Sequence, residues 1–207
     1  MKTLIYGAGG FGKEVLWLLT EINERMGNST DVMFVVDDKY FNSTETIGEY
    51  PLIVSSEIEP RFYDVVVAIG NPQDRKRVVE SLPKETKFQT LRHPSVISGD
   101  YTIGEGSIIC AGVILTVGIR IGKHCQLNLH TSIGHDCVIG DYFTSAPGAR
   151  ISGNCKIGDC VYVGTNACIR EKITICDNVT IGMGAVVVKN ITEPGIYIGN
   201  PLRKLEQ

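Results

Sequence analysis

The stretch ISGNCKIGDCVYVGTNACIREKITICDNVTIGMGAVVV, Ile151 to Val188, repeats itself every six residues. An aliphatic residue returns at Ile151, Ile157, Val163, Ile169, Ile175, Ile181 and Val187. Stepping toward the N-terminus in sixes gives Ser145, Ile139, Ile133, Leu127, Ile121, Leu115, Ile109, Ile103 and Ile97. Of these sixteen positions only Ser145 is not aliphatic, a regularity that ordinary composition does not produce. The next residue is often glycine (Gly104, Gly122, Gly134, Gly140, Gly158, Gly164, Gly182), and the fourth is often small (Ser107, Cys125, Thr131, Cys137, Ala149, Cys155, Ala167, Ala185).

A period of six fits neither an amphipathic helix, at 3.6, nor an alternating strand, at 2. It fits a triangular coil with a short strand on each side and a turn at each corner. The aliphatic residue points inward, glycine eases the corner backbone, and the small residue sits where the interior narrows. Three hexads close one coil, so the series predicts about five coils stacked at roughly 4.8 Å. No coil buries its own face, and stability is therefore collective. The expected element is a parallel β-helix from about Ile97 to Asn190. Cysteines at its small positions read as compact core hydrophobes.

Upstream, Thr3 to Tyr6 form an apolar strand, GAGGFG (Gly7 to Gly12) follows, and Glu14 to Met26 are amphipathic. Strand, glycine turn and helix in that order let backbone N–H groups approach a phosphate at the positive helix end. The alternative is glycine chosen only for tight strand–helix packing. A second strand, Val32 to Val36, ends at Asp37 and Asp38, which either accept hydrogen bonds from a ribose or base or solvate a strand end. A third strand, Val65 to Ile69, leads into Gly70, Asn71 and a helix from Gln73 to Leu82; a short strand near Phe88 to Leu91 then enters the repeat. About 90 residues give only half of a dinucleotide fold, which favours a mononucleotide or nucleotide-sugar over NAD. The division expected is a Rossmann-like unit over 1–92 and a β-helix unit over 93–207.

The totals exclude other classes. With 207 residues and a net charge of −3 of mixed sign, the chain has no basic face for nucleic acid. The opening MKTLIYGAGG is too short in apolar residues for a signal peptide, and no run approaches a membrane span. Seven cysteines without paired CxxC spacing suggest neither a disulfide framework nor a metal site. A cytoplasmic protein without metal is expected.

Of the four histidines, His135 stands out in IGHDCVIGD, two residues past inward Ile133, at a corner where side chains face outward. Asp136 follows it. An imidazole can take a proton at neutral pH, and an adjacent carboxylate fixes its tautomer; a solvated His–Asp dipeptide is the plainer reading. His130 lines a groove or a solvated face, His124 lies on an outward turn, and His93 satisfies a local hydrogen bond before Pro94.

The stretch LNLHTSIGHDCVIGDYFTSAPGARISGNCKIG, Leu127 to Gly158, resembles the signature of the NeuD/PglD-type sugar acyltransferases. The likeness extends to GAGGFG, the Asp37–Asp38 pair, AIGN at Ala68 to Asn71, HPSVIS at His93 to Ser98 and YIGNPLRKL at Tyr197 to Leu205. It implies a homotrimer of left-handed β-helices with active sites between subunits and acetyl-CoA as acyl donor. It implies His135 as general base, Asp136 as its acidic helper, Gly153 with its N–H near the thioester carbonyl, and Asn128 as an active-site asparagine. Thr144, Gly153, Gly164, Pro201 and Arg203 are implied at the CoA site. For Arg203 and Lys204, solvated tail charge is an equal account. Gly7, Gly9, Gly10, Phe11, Gly12, Asp37, Asp38, Gly70 and Asn71 are implied around the nucleotide-sugar. Two departures stand: Phe11 and Thr144 occupy positions where the bacillosamine-pathway member has histidines, removing a donor near the phosphates and a charged contact near the thioester.

The function expected is N-acetylation of a nucleotide-linked 4-amino sugar for surface glycan synthesis. The rivals are O-acetylation of a free sugar such as sialic acid, which leaves the glycine loop and Asp37–Asp38 unused, an NAD-linked oxidoreductase, and a non-catalytic spacer.

Overall fold

The computed structural model describes residues 2–41, 46–59 and 62–206. The N-terminal unit runs β1 (Lys2–Tyr6), α1 (Gly10–Met26), β2 (Asp31–Val36), β3 (Thr46–Ile47), β4 (Tyr50–Val54), β5 (Asp64–Val67), α2 (Pro72–Ser81) and β6 (Lys87–Phe88). The sheet order is β3-β4-β2-β1-β5-β6, parallel except for the β3–β4 hairpin. Central strands covered on both faces need unbroken apolar runs, and Leu4, Ile5, Val65, Val66 and Val67 are buried. On one face Ile5, Phe34 and Val66 pack against Val15, Leu18 and Leu19 of α1. On the other, Leu4, Val35 and Val65 pack against Val78 and Val79 of α2. The β3–β4 hairpin has no counterpart in the sequence expectation. The segment expected as one strand near Phe88 to Leu91 divides, and Leu91–Arg92 pairs with Ile108–Ile109 as part of the first coil. The coil stack thus begins two residues inside the segment assigned above to the N-terminal unit.

The rest is a left-handed parallel β-helix with three faces. The first face carries Ile108–Ile109, Gln126–Leu127, Thr144–Ser145, Tyr162–Val163 and Val179–Ile181, and ends in the antiparallel pair Gly195–Ile198 and Arg203–Lys204. The second carries Ile97–Ser98, Ile114–Leu115, Ser132–Ile133, Arg150–Ile151, Cys168–Ile169 and Val186–Val187. The third carries Tyr101–Ile103, Ile119–Ile121, Val138–Ile139, Lys156–Ile157 and Thr174–Ile175. Every sixth residue from Ile109 to Val187 is buried, as the period requires. Ser145, the one exception in type, is fully buried and pairs with Thr131 Oγ1 at 3.0 Å.

Two expectations need correction. Ile97 does not point inward: it is 66% exposed, and Ser98 takes the inner register opposite Leu115. Arg92, at the open end of the prism, bonds Val96 O and Ser98 Oγ. The glycines after the aliphatic residue also do not serve corner flexibility. An added Cβ at Gly134 would lie 2.7 Å from Gly153 N, and one at Gly164 would lie 2.6 Å from Met183 N. They are there because the next coil passes too close for a side chain. The left-handed conformations fall elsewhere, at residues such as His130, Asp136, Asn154 and Lys172.

The N-terminal unit sits on the first face. Leu91, Ile108 and Cys110 share a buried cluster with α1, and Gln126 Nε2 donates to Val67 O at 3.0 Å. Seven cysteines are free, five of them buried.

Candidate active site

A cavity of about 670 Å³ opens at the C-terminal edge of the sheet, lined by Tyr6, Gly7, Ala8, Gly9, Val36, Asp37, Lys39, Tyr40, Ile69 and, from α2, Asp74, Arg77, Val78 and Ser81. Small-ligand sites are of this size and favour this edge of a parallel α/β sheet. Asp37 accepts a hydrogen bond from the Tyr6 hydroxyl, and Lys39 Nζ lies 3.7 Å from its carboxylate. Burial and the neighbouring carboxylate push the Tyr6 phenol up, so it stays a donor.

Of the nucleotide-site residues named from sequence, Gly7, Gly9 and Asp37 line this cavity. The others have different duties. Gly7 (φ +115) also needs its missing side chain, since a Cβ would lie 2.7 Å from Ala68 O. A Cβ on Gly12 would overlap the Gly7 carbonyl, so this glycine serves strand–helix packing. Gly10 opens on free space. Phe11 packs on the cluster beneath α1. Asp38 turns away: Ser55 Oγ at 2.9 Å and Ser56 Oγ at 2.6 Å donate to its carboxylate and hold it below the usual range. Asn71 caps α2, accepting from Gln73 N and Asp74 N. Gly70 offers its carbonyl to Thr144 and Arg75.

The second cluster lies on the β-helix. His135 follows the second-face strand Ser132–Ile133 and precedes the third-face strand Val138–Ile139, so it stands on the corner between those faces. That corner is opposite the first face, which the N-terminal unit covers. Asp136 adopts a left-handed backbone (φ 59), which aspartate tolerates, and its Oδ2 lies 2.8 Å from His135 Nδ1. Both side chains are exposed. One coil up, Asn154 N donates to His135 O at 2.7 Å. The imidazole lies over Gly153, where a Cβ would come within 2.5 Å of Nε2. With Nδ1–H committed to a carboxylate, Nε2 carries the free lone pair.

Asn128 does not join this pair within one chain. It follows the first-face strand Gln126–Leu127, on the corner between the first and second faces, and its Oδ1 accepts from Leu129 N. Thr144 requires correction as a CoA contact: it is buried under the N-terminal unit, donates to Gly70 O at 3.1 Å and accepts from Arg75 at 2.9 Å. His124 lies on a turn, as expected, but does not face outward. It is buried, stacked on Tyr142 at 5.4 Å and edge-on to Phe88 at 4.6 Å, and burial lowers its pKa to about 4. His93 makes the expected local bond, to Ser95 Oγ at 2.7 Å, and His130 is exposed. Gly164 stacks beneath Met183, Pro201 follows a cis bond in the tail, and Arg203 is exposed beside it.

Sequence reading missed Arg75 and the cavity wall of α2. For the wall the signal was present: Asp74, Arg77, Val78 and Ser81 recur at three- and four-residue spacing, which is one helix face.

No helix among the described residues is long and apolar enough to cross a membrane. Residues 2–82 match the family described as PglD N-terminal domain, and residues 154–189 match the hexapeptide repeat of succinyl-transferase. A GDP-perosamine N-acetyltransferase of Escherichia coli O157:H7 is 34% identical over 155 residues, 72% of this chain and 69% of the relative. WeeI from Acinetobacter baumannii AYE superposes with a TM-score of 0.87 at 34% identity, covering 99% of this chain and 100% of that one. The acetyltransferase domain of PglB from Neisseria gonorrhoeae FA1090, solved with acetyl coenzyme A, gives 0.87 at 30% identity over 99% and 98%. With the glycine-loop cavity, the six-residue coils and the His135–Asp136 corner in one chain, these likenesses over nearly its full length mean that the protein belongs to the NeuD/PglD-type family of hexapeptide-repeat sugar acyltransferases.

Proposed function

We propose that the protein moves the acetyl group of acetyl-CoA to the amine of a nucleotide-linked 4-amino sugar, at sites completed between copies of a homotrimer. One observation carries the reading: the ligand cavity and the His135–Asp136 pair lie on opposite sides of the same prism. A chain alone cannot present a sugar held in its cavity to its own imidazole, whereas a neighbouring chain can supply the missing partner. The E. coli relative's name, with its GDP-linked amino sugar, and the acetyl coenzyme A held by the Neisseria domain support the two substrates. Seven unpaired thiols suit a reducing cytoplasm.

In this mechanism the sugar amine attacks the thioester carbonyl, the new C–N bond forms and the C–S bond breaks. His135 Nε2 takes the amine proton while Asp136 steadies the ring through Nδ1. The proton then passes to the departing thiolate, which leaves as CoA thiol. Gly153 packs against the imidazole, and in this reading its N–H donates to the developing oxyanion, the interaction that is usually the largest electrostatic contribution in acyl transfer. No covalent enzyme intermediate is required, since holding both substrates supplies proximity.

CoA-thiol release against GDP-, UDP- and dTDP-linked 4-amino sugars tests the substrate class; release only with nucleotide-free sugars would turn the reading toward O-acetylation. Mixing two inactive variants, His135→Ala and Asp37→Arg, tests the shared site. Recovered turnover is expected after subunit exchange, because mixed assemblies pair an intact imidazole with an intact cavity.

A further inference from the structure

We infer that Arg75 is a positioning residue that fixes the nucleotide cavity against the β-helix, so that the sugar's amine arrives in register with the catalytic corner. This rests on the proposed use of the cavity for a nucleotide. Arg75 is completely buried, yet no carboxylate is among its hydrogen-bond partners. All three guanidinium nitrogens are used instead on oxygens from both units. Nε donates to His124 O at 2.8 Å, and Nη2 donates to Tyr142 O at 2.7 Å and Thr144 Oγ1 at 2.9 Å. Nη1 turns back to Ile69 O at 2.7 Å in the N-terminal unit.

Burying a charge is costly unless its hydrogen bonds are met, and here they are met only when both units are in place. His124 and Tyr142 belong to successive coils, so the fork spans two rungs of the stack as well as the gap between units. A planar guanidinium can hold that arrangement; an ammonium, with donors from one point, cannot. Ile69 lines the cavity, and so do Asp74, next to Arg75 on α2, and Arg77, two positions on. The same turn of α2 therefore forms the cavity wall and its anchor. A fully satisfied cation shared across a domain junction fixes one orientation of the two parts.

The experiment compares two acceptors: the nucleotide-linked amino sugar, and its methyl glycoside, which has the same amine and no nucleotide. In the wild-type protein the ratio of their kcat/KM values measures what the cavity contributes. For Arg75→Lys that ratio is expected to fall by about 10- to 100-fold, the scale of a misplacement near one ångström. The methyl glycoside is expected to keep its turnover, and the free nucleoside diphosphate its affinity. Thr144→Val, which removes one acceptor and keeps the charge, is expected to show the same selective loss at smaller size, and it serves if Arg75→Lys does not fold. Equal losses on both acceptors, or none, overturn the inference. A wild-type ratio near one instead overturns the nucleotide reading of the cavity itself.

Discussion

The β-helix and the N-terminal unit place their chemistry by different means. In the β-helix an inner row of aliphatic residues fixes every coil, and any outward residue is located once its place in the hexad is known. His135 is on a corner because Ile133 and Ile139 are inside. In the N-terminal unit the buried strands say only where the sheet is; which loop residues face the ligand depends on local hydrogen bonds. Asp37 faces the cavity and its neighbour Asp38 turns to Ser55 and Ser56. Periodic architecture thus makes site position readable, while an open α/β edge does not.

The largest effect that would break this contrast concerns the corner. His135→Ala is expected to lower turnover by roughly 10² to 10⁴, the usual range for a general base, with assembly and nucleotide binding unchanged. Near-normal turnover at saturating substrate would remove His135 from the mechanism. Next comes separability of the two regions. Gly12→Ala forces a methyl into the Gly7 carbonyl and is expected to cost about 3 kcal/mol, as overpacking at a rigid backbone does. Trp17, the chain's single tryptophan, is on α1, so its fluorescence should report earlier melting of that unit. The β-helix transition seen by circular dichroism should hold.

A third measurement addresses the junction. His124 has a pKa lowered to about 4 by burial, against about 6.5 for a free imidazole. The unfolded or undocked chain therefore binds the extra proton between these values. Docking is strongest above pH 6.5 and loses on the order of 2 to 3 kcal/mol as pH falls to 4. Glu105 and Glu193, held low by Lys123 and Lys204, are exposed and give up a small share of stability as pH falls through the ordinary carboxylate range, at the acid end of this window. A thermal-melt series over pH 4 to 7 should be flattened by His124→Phe. The smallest effect is expected from Asp136→Asn. An exposed pair contributes about 1 kcal/mol or less, so a loss of roughly two- to tenfold in kcat should appear, with KM for either substrate little changed.

The repeat, its inner residues and the His135–Asp136 corner were legible because six-residue spacing is long-range order written in a local pattern. The start of the stack was misplaced because Ile97 satisfies the spacing by type and not by register. Asp38, Asn71 and Thr144 are given to ligands by the resemblance, and the structure shows each engaged in a local, capping or junction contact that spacing does not announce. Arg75 gave no signal, since a buried arginine without a carboxylate partner has no sequence pattern, only a surrounding of carbonyls that folding assembles.

The first coil pairs Ile97 with Ile114 and then Tyr101 with Ile119, so it is one residue shorter than those above it. The missing residue falls at the corner between Ser98 and Tyr101, and the inner register is kept on both sides of it, Ser98 opposite Leu115 and Ile103 opposite Ile121. An engineered insertion of one full turn between regular coils should likewise lengthen the prism without turning the edge that carries His135 and Asp136.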